Sequence, residues 1–250
     1  MKITIKGYPP IVIPAELAQP ESGAFDGHTP YVAKLSSRLH QPAYRLRTLP
    51  AKLLCLEAIK GRMESLGGYK TFSEPLAGVG LSARIFDKGK TYLNELDPSC
   101  RRVLELNFGE KNVTSQNAMV VPFKTVDAIF LDFNDFTLKR FCTTTYGEVL
   151  QRAFASAQKY VILNDCSVFY FRYGKSSYKA YEKYVEEPIT CLEEYFKALR
   201  RFYVRRVGWN LLHVAYFRDT SFQLFGQVKE KLQIEEIKNP KAIVEVSGLC

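Results

Sequence analysis

Hydrophobic and polar positions along this chain follow two periods, and the period switches repeatedly. Lys2-Ile3-Thr4-Ile5 alternates with period two and predicts a short strand. It stands in a stretch reaching to about residue 50 that is rich in Pro and Gly ("GYPP", "PAELAQPESGAFDGHTP", "HQP", "TLP"), which predicts an irregular N-terminal extension. From Ala51 the spacing of Leu53, Leu54, Leu56, Ile59, Met63 and Leu66 is helical, and Gly67-Gly68 supplies the stop. Thereafter the two periods take turns: "YKTFSEPL" strand, "LSARIFDKG" helix, "KTYLNEL" strand, "PSCRRVLELNFG" helix, "NVTSQN" strand, "VDAIFLDF" strand, "YGEVLQRAFASAQ" helix and "KYVILNDCS" strand.

Such alternation predicts an α/β fold, a doubly wound and mostly parallel sheet with helices on both faces and right-handed crossovers. Near the end the alternation stops. A long helical run, "SSYKAYEKYVEEPITCLEEYFKALRRF", leads into "GWNLLHVAYF" and "SFQLFGQVKEKL", two strand-like runs separated only by "RDT", which read as an antiparallel hairpin. The expected division is an extension over residues 1–50 and one domain over 51–250. In open sheets of this kind ligands sit at the carboxyl ends of the strands, which directs attention to the residues that close each strand.

Composition narrows the function classes. No run of eighteen or more apolar residues occurs, and "MKITIKGYPPIVIP" lacks a continuous apolar segment ending at a small-residue cleavage site, so a soluble, unexported protein without a membrane partner is expected. The six cysteines (Cys55, Cys100, Cys142, Cys166, Cys191, Cys250) are scattered singly with no C-x-x-C, a pattern of reduced thiols that fits the cytoplasm. His28, His40 and His213 lie far apart in sequence, which gives a histidine-based metal site little to build with. The net charge of +9 favours polyanionic partners such as nucleic acid.

Candidate chemistry centres on "EPLAGVG", residues 74–80, between a strand and a helix. Gly78 and Gly80 allow a tight turn and close approach of the backbone to a ligand. "GVGLSA" also satisfies the dinucleotide pattern G-x-G-x-x-G/A, with Glu95 downstream as a ribose acid, so a nicotinamide enzyme is one reading. Three features argue for another. "EPLAGVG" resembles the "D-x-F-A-G-x-G" first motif of class I S-adenosylmethionine-dependent methyltransferases, including RNA guanine methyltransferases. "TYLNELDP" resembles their second motif and "NVTSQNAM" their third, and the closing hairpin is their architecture.

This resemblance, spanning roughly Phe72 to Cys166, implies an S-adenosylmethionine cofactor. Glu74 would accept from the ammonium of its amino acid head, and Ala77, Gly78 and Gly80 would pack against the methionine moiety. Glu95 would accept both ribose hydroxyls, Leu96 would lie against the adenine, and Asn117, where Asp is commoner, would receive the adenine amino group. Asp97-Pro98 reads as the start of the next helix.

The acceptor side follows the next strand, "DAIFLDFNDFTLKRF". Asp132, Asn134 and Asp135 are the candidates for orienting or deprotonating the acceptor, with Asp132 also at the cofactor's edge. The prolines of the amine-methylating D/N/S-P-P-Y/F motif and the Pro-Cys of C5-cytosine enzymes are both missing, and "LDFND" is only loosely similar to the "D-x-D-P-F-G" of tRNA guanine dimethyltransferases. Nucleic acid as partner, RNA ahead of DNA, is indicated by basic and aromatic residues interleaved at Tyr31, Lys34, Arg38, His40, Tyr44, Arg45, Arg47 and Lys52, and again in "FYFRYGKSSYKAYEKY" with Arg172, Lys175, Lys179 and Lys183. A further basic cluster is Lys197, Arg200, Arg201, Arg205 and Arg206. Two alternatives stay open: a catalytically silent binding protein on the same fold, and a magnesium-dependent O-methyltransferase using Asp132, Asn164 and Asp165.

Overall fold

The computed structural model describes residues 1–18, 31–135, 145–165, 168, 171, 179–218, 220–238, 240 and 243–248, and of residues 133–135, 145 and 146 the backbone alone. Strands β1 (Lys2–Ile5) and β2 (Ile11–Val12) and the one-turn α1 (Ala15–Ala18) open the chain. Helix α2 (Tyr31–His40) leads through a π-helical segment, Tyr44–Thr48, into α3 (Leu49–Ser65). The extension is therefore more regular over residues 31–50 than its composition predicts. Pro50 lies in the first turn of α3, where its missing N–H costs nothing and its fixed φ suits the helix, so it begins the helix earlier than Ala51.

Then come β3 (Phe72–Glu74), α4 (Leu81–Phe86), β4 (Thr91–Asn94), α5 (Pro98–Phe108), β5 (Val113–Thr114), β6 (Val126–Asp135), α6 (Thr145–Ser156) and β7 (Ala157–Asp165). The expected long helix is two, α7 (Lys179–Val185) and α8 (Leu192–Val207). Glu186 takes a left-handed φ of 61° and Pro188 follows, which ends α7; Glu194 then accepts from the Thr190 N–H at 2.8 Å and starts α8. The hairpin is β8 (Asn210–Phe217) and β9 (Thr220–Gly226), followed by two short strands, β10 (Gln233–Glu236) and β11 (Val244–Ser247), that periodicity did not reveal.

The main sheet has the order β10-β8-β9-β7-β6-β3-β4-β5. Strand β9 is antiparallel to both β7 and β8, while β7, β6, β3, β4 and β5 run parallel. A second sheet, β11-β1-β2, joins the two ends of the chain through antiparallel pairs such as Ile3 with Val246.

Strict alternation splits the core into two layers. Phe72, Phe130, Ile162 and Leu224 face the layer of α3, α4 and α5 with Leu53, Ile59, Ile85 and Leu104. Ile129, Leu131, Val161, Leu163 and Phe225 face the layer of α6 and α8 with Val149, Ala153, Phe196 and Phe202. Residues 115–125, between β5 and β6, form neither helix nor strand. Arg152 of α6 ties this connection down, donating to the carbonyls of Val121, Ala118 and Met119 at 2.8, 2.9 and 2.6 Å.

Candidate functional site

Four neighbouring strands carry the same pattern at or near their carboxyl ends. Phe72-Ser73-Glu74, Leu93-Asn94-Glu95, Phe130-Leu131-Asp132 and Ile162-Leu163-Asn164 each place an apolar residue in the α3–α5 layer, and two positions later a polar one on the same face at the carboxyl end. Three carboxylates thus converge where the sheet meets the turn at residues 75–80.

Glu74 is 1 % exposed. Its Oε1 accepts from the Ser82 hydroxyl at 2.5 Å, and its Oε2 has no hydrogen-bond partner. Burial pushes its pKa well above the ordinary carboxylate value, the neighbouring Asp132 and Glu95 add to that rise, and the Ser82 hydroxyl and the Ala83 backbone N–H oppose it. Glu95 is consumed differently: Oε2 accepts from the Gly78 N–H at 2.8 Å and Oε1 from the Asp97 N–H at 2.9 Å, so it braces the glycine turn against the end of β4. Asp97 caps α5, accepting from the N–H groups of Ser99 and Cys100 at 2.9 and 3.0 Å, as Asp-Pro predicts. It also receives the Tyr31 N–H at 3.5 Å, which pins the start of α2 beside the site.

On β6, Asp132 Oδ1 accepts from the Asn164 amide at 2.5 Å, and Asn164 Oδ1 in turn accepts from the Thr220 hydroxyl at 3.2 Å. Asp165 belongs to the other layer: its Oδ2 accepts from Gln223 Nε2 at 3.0 Å. Alternation therefore turns Asp165 away from Asp132, and the pairing that a divalent cation would need does not form between them. Among the described residues no group of three or more His, Cys, Asp or Glu side chains is arranged to hold a metal ion. Among the same residues no helix is long and apolar enough to cross a membrane.

Two cavities meet over this row. One of about 560 Å³ is lined by Glu74, Ala77, Gly78, Ser82, Glu95 and Asp132, and also by Tyr31, Arg38, Tyr44 and Lys52 from α2, α3 and the segment between them. The other, of about 370 Å³, is lined by Glu95, Leu96, Gln116, Asn117, Met119 and Asp132. Leu76, Glu95 and Asp132 belong to both, so the two are lobes of one cleft. Leu96 is 54 % exposed and offers a free apolar face to the second lobe. Asn117 lines the same lobe, with Oδ1 accepting from the Met119 N–H at 2.9 Å in a turn of the kind Asn favours.

The two glycines have different duties. Gly78, at φ 53°, lines the cleft, and a Cβ there would meet nothing nearer than Tyr31 Cε1 at 3.8 Å. Gly80 lies outside the lining: a Cβ would strike Phe108 Cε2 at 2.6 Å and Leu104 Cδ2 at 2.8 Å, so its lack of a side chain lets α5 approach. The side chains of Asn134 and Asp135 lie outside the described residues, as do Arg172 and Lys175. Sequence reasoning missed Ser82, Asn164 and Thr220 as partners of the carboxylates. The signal for Asn164 was available in the repeated apolar-x-polar strand ending.

Helices on both faces, parallel strands fanning to either side of β3, and the hairpin's second strand, β9, inserted antiparallel between β7 and β8 settle the architecture. The fold is that of class I methyltransferases. No protein-family model and no curated protein matches the chain. Solved structures resemble it at low identity. A S-adenosylmethionine-dependent methyltransferase from Clostridium acetobutylicum is 8 % identical over 79 % of this chain and 99 % of its own, with a TM-score of 0.49. Magnesium protoporphyrin IX methyltransferase from Synechocystis, with bound S-adenosylhomocysteine, is 10 % identical over 85 % and 92 %, with a TM-score of 0.45. An O-methyltransferase family protein from Burkholderia thailandensis is 10 % identical over 70 % and 56 %, with a TM-score of 0.45. The fold assignment rests on the strand order itself.

Proposed function

We propose that this chain is an S-adenosylmethionine-dependent methyltransferase acting on nucleic acid, RNA ahead of DNA. The observation that carries the cofactor half is Glu74: a fully buried carboxylate whose Oε1 is held by Ser82 and whose Oε2 is left without a hydrogen-bond partner, on a residue that lines the cleft. A buried acceptor left without a partner is costly unless a ligand completes it, and an ammonium is the donor that also offsets the charge. Glu95, braced by two backbone N–H groups, keeps lone pairs for the ribose hydroxyls at the junction of the lobes. Leu96 and Asn117 line the lobe that suits the adenine, and Ala77 and Gly78 line the lobe that suits the methionine chain.

When bound, the cofactor supplies an electrophilic methyl on a sulfonium. The chain's contribution is positioning and proton handling. Asn164 donates to one oxygen of Asp132 and leaves the other to take or orient the proton of the acceptor, a role we extend to Asn134 and Asp135 as second candidates. Residues 1–50 are treated as an extension that contributes cleft wall to a catalytic body over 51–250. Buried free thiols at Cys55 and Cys100 fit a cytoplasmic site of action. The nucleic-acid half rests on the net charge of +9 and on the basic and aromatic residues of the extension.

The test is transfer of tritiated methyl from S-adenosylmethionine to pooled tRNA, rRNA, genomic DNA and total protein. Label is expected in one nucleic-acid pool, and Asp132→Ala is expected to lower the rate about 10²–10⁴-fold, the usual worth of a positioned acid or base. Label in protein alone, or none in any pool while S-adenosylhomocysteine binds, contradicts the nucleic-acid reading.

A further inference from the structure

Tyr31, Arg38, Tyr44 and Lys52 are far apart in sequence from the strand ends, yet they line the same cleft wall to wall with Glu74, Glu95 and Asp132. Tyr31 and Arg38 are seven residues apart on α2 and so share a helix face, and Val32, Leu35 and Leu39 bury the adjoining flank of the helix. Each described carboxylate in the cleft has a hydrogen-bond donor from the chain: Ser82 for Glu74, Gly78 for Glu95, Ser99 for Asp97 and Asn164 for Asp132. Arg38 and Lys52 have none of these acids within ion-pair distance among the described residues, although all six groups line one cavity of about 560 Å³. Opposite charges that share a cavity without pairing leave room between them for a ligand.

The neighbourhood of Tyr31 says which ligand end belongs there. The residue is 45 % exposed, and burial of its ring end raises the phenol's pKa, reinforced by Tyr44, Asp132 and Cys100 and opposed by Arg38. Asp132 and Arg38, which line the same cavity, thus act on Tyr31 with opposite sign. A phosphate-bearing acceptor brought to Asp132 meets four carboxylates, an arrangement that repels it unless cations stand at the rim.

We propose that this wall is the acceptor grip: Arg38 and Lys52 take a phosphate flanking the target nucleotide, and Tyr31 and Tyr44 take the face of its base, which sets the reacting group beside Asp132. The inference rests on the nucleic-acid reading above and names the residues and contacts that would carry it.

Binding of bulk tRNA, measured by filter retention over a series of salt concentrations, tests it, with calorimetric titration of S-adenosylhomocysteine run on the same samples. In Arg38→Ala/Lys52→Ala, tRNA affinity is expected to fall at least about tenfold at low salt and the slope of log K against log salt to shrink by about 1–2, since each phosphate contact contributes slightly under one unit. The S-adenosylhomocysteine affinity is expected to stay within about twofold, which also certifies the fold. Arg45→Ala/Arg47→Ala removes the same charge from the same segment at positions that do not line the cleft, and is expected to cost less than about threefold. Tyr31→Leu/Tyr44→Leu is expected to weaken tRNA binding without changing the salt slope.

Equal losses in the two double-arginine and arginine–lysine variants overturn the grip in favour of general surface charge. Loss of S-adenosylhomocysteine binding with tRNA binding intact overturns it by assigning the cations to the cofactor's carboxylate. Wild-type protein that binds S-adenosylhomocysteine but not tRNA overturns the nucleic-acid reading and the grip together, and wild-type protein that binds neither overturns the methyltransferase reading itself.

Discussion

Glu74 and Asp165 are both buried carboxylates at the carboxyl ends of parallel strands in one sheet, and the chain finishes them in opposite ways. Asp165 points into the α6–α8 layer, where Gln223 Nε2 donates to it from the antiparallel β9, and Ser221 and Gln223 around it are fully buried. Glu74 points into the α3–α5 layer, receives one hydroxyl from Ser82, lines the cleft, and keeps its second oxygen buried without a hydrogen-bond partner. Burial alone therefore does not mark a ligand site. The mark is a buried acceptor whose remaining partner is missing and whose surroundings leave space for one.

The largest expected effect breaks the open member of the pair. Glu74→Gln is expected to weaken S-adenosylhomocysteine binding about 10–100-fold, the worth of a charge-assisted hydrogen bond, with no loss of ligand-free stability at neutral pH. The sign follows from the raised pKa. The folded protein holds the Glu74 proton more tightly than the unfolded chain, so this group's contribution is full below the unfolded value of about 4.3 and declines as pH rises through the raised folded value. Urea unfolding of the ligand-free protein across that range is expected to show the decline in wild type and its absence in Glu74→Gln.

The sealed member is expected to answer with stability instead. Asp165→Ala strips Gln223 of its acceptor and is expected to cost about 1–3 kcal/mol in urea unfolding, with S-adenosylhomocysteine affinity of the folded protein unchanged. A smaller, mixed effect is expected where structure supports site. Arg152→Met removes three hydrogen bonds to the connection that carries Asn117 and Met119, and is expected to weaken S-adenosylhomocysteine binding about 3–10-fold by loosening the second lobe. Smallest of all, Thr220→Val removes one hydroxyl behind Asn164 and is expected to cost about 1 kcal/mol, with a modest fall in transfer rate and no change in cofactor affinity.

The same contrast explains what could be read from the letters. The inner strands of the central sheet were legible, unlike its edge strand β10, because each layer imposes its own period: Phe72, Phe130 and Ile162 on one side, Ile129, Leu131 and Leu163 on the other. The closing hairpin was legible from two apolar runs separated by three residues. Helix α2 was not, since its apolar positions Val32, Leu35 and Leu39 sit in a stretch whose prolines and glycines dominate the local pattern. Nor was the break between α7 and α8, which a left-handed Glu186 makes within an otherwise helical composition. At the site, Glu74, Glu95 and Asp132 could be found from strand endings. The separate duties of Gly78 and Gly80 could not, because the residue that constrains Gly80, Phe108, is far away in sequence. The set Tyr31, Arg38, Tyr44 and Lys52 was visible as basic and aromatic composition, but its place in the same cavity as the carboxylates needed the tertiary fold.

The central claim is that the row of carboxylates at the ends of β3, β4 and β6 is kept for an adenosyl amino acid. Calorimetric titration of S-adenosylhomocysteine into wild type, Glu74→Gln and Glu95→Ala tests it most directly. The account expects one site per chain in wild type, and affinity reduced about tenfold or more in each variant while both unfold cooperatively. No binding by wild type, or wild-type affinity in both variants, would contradict it.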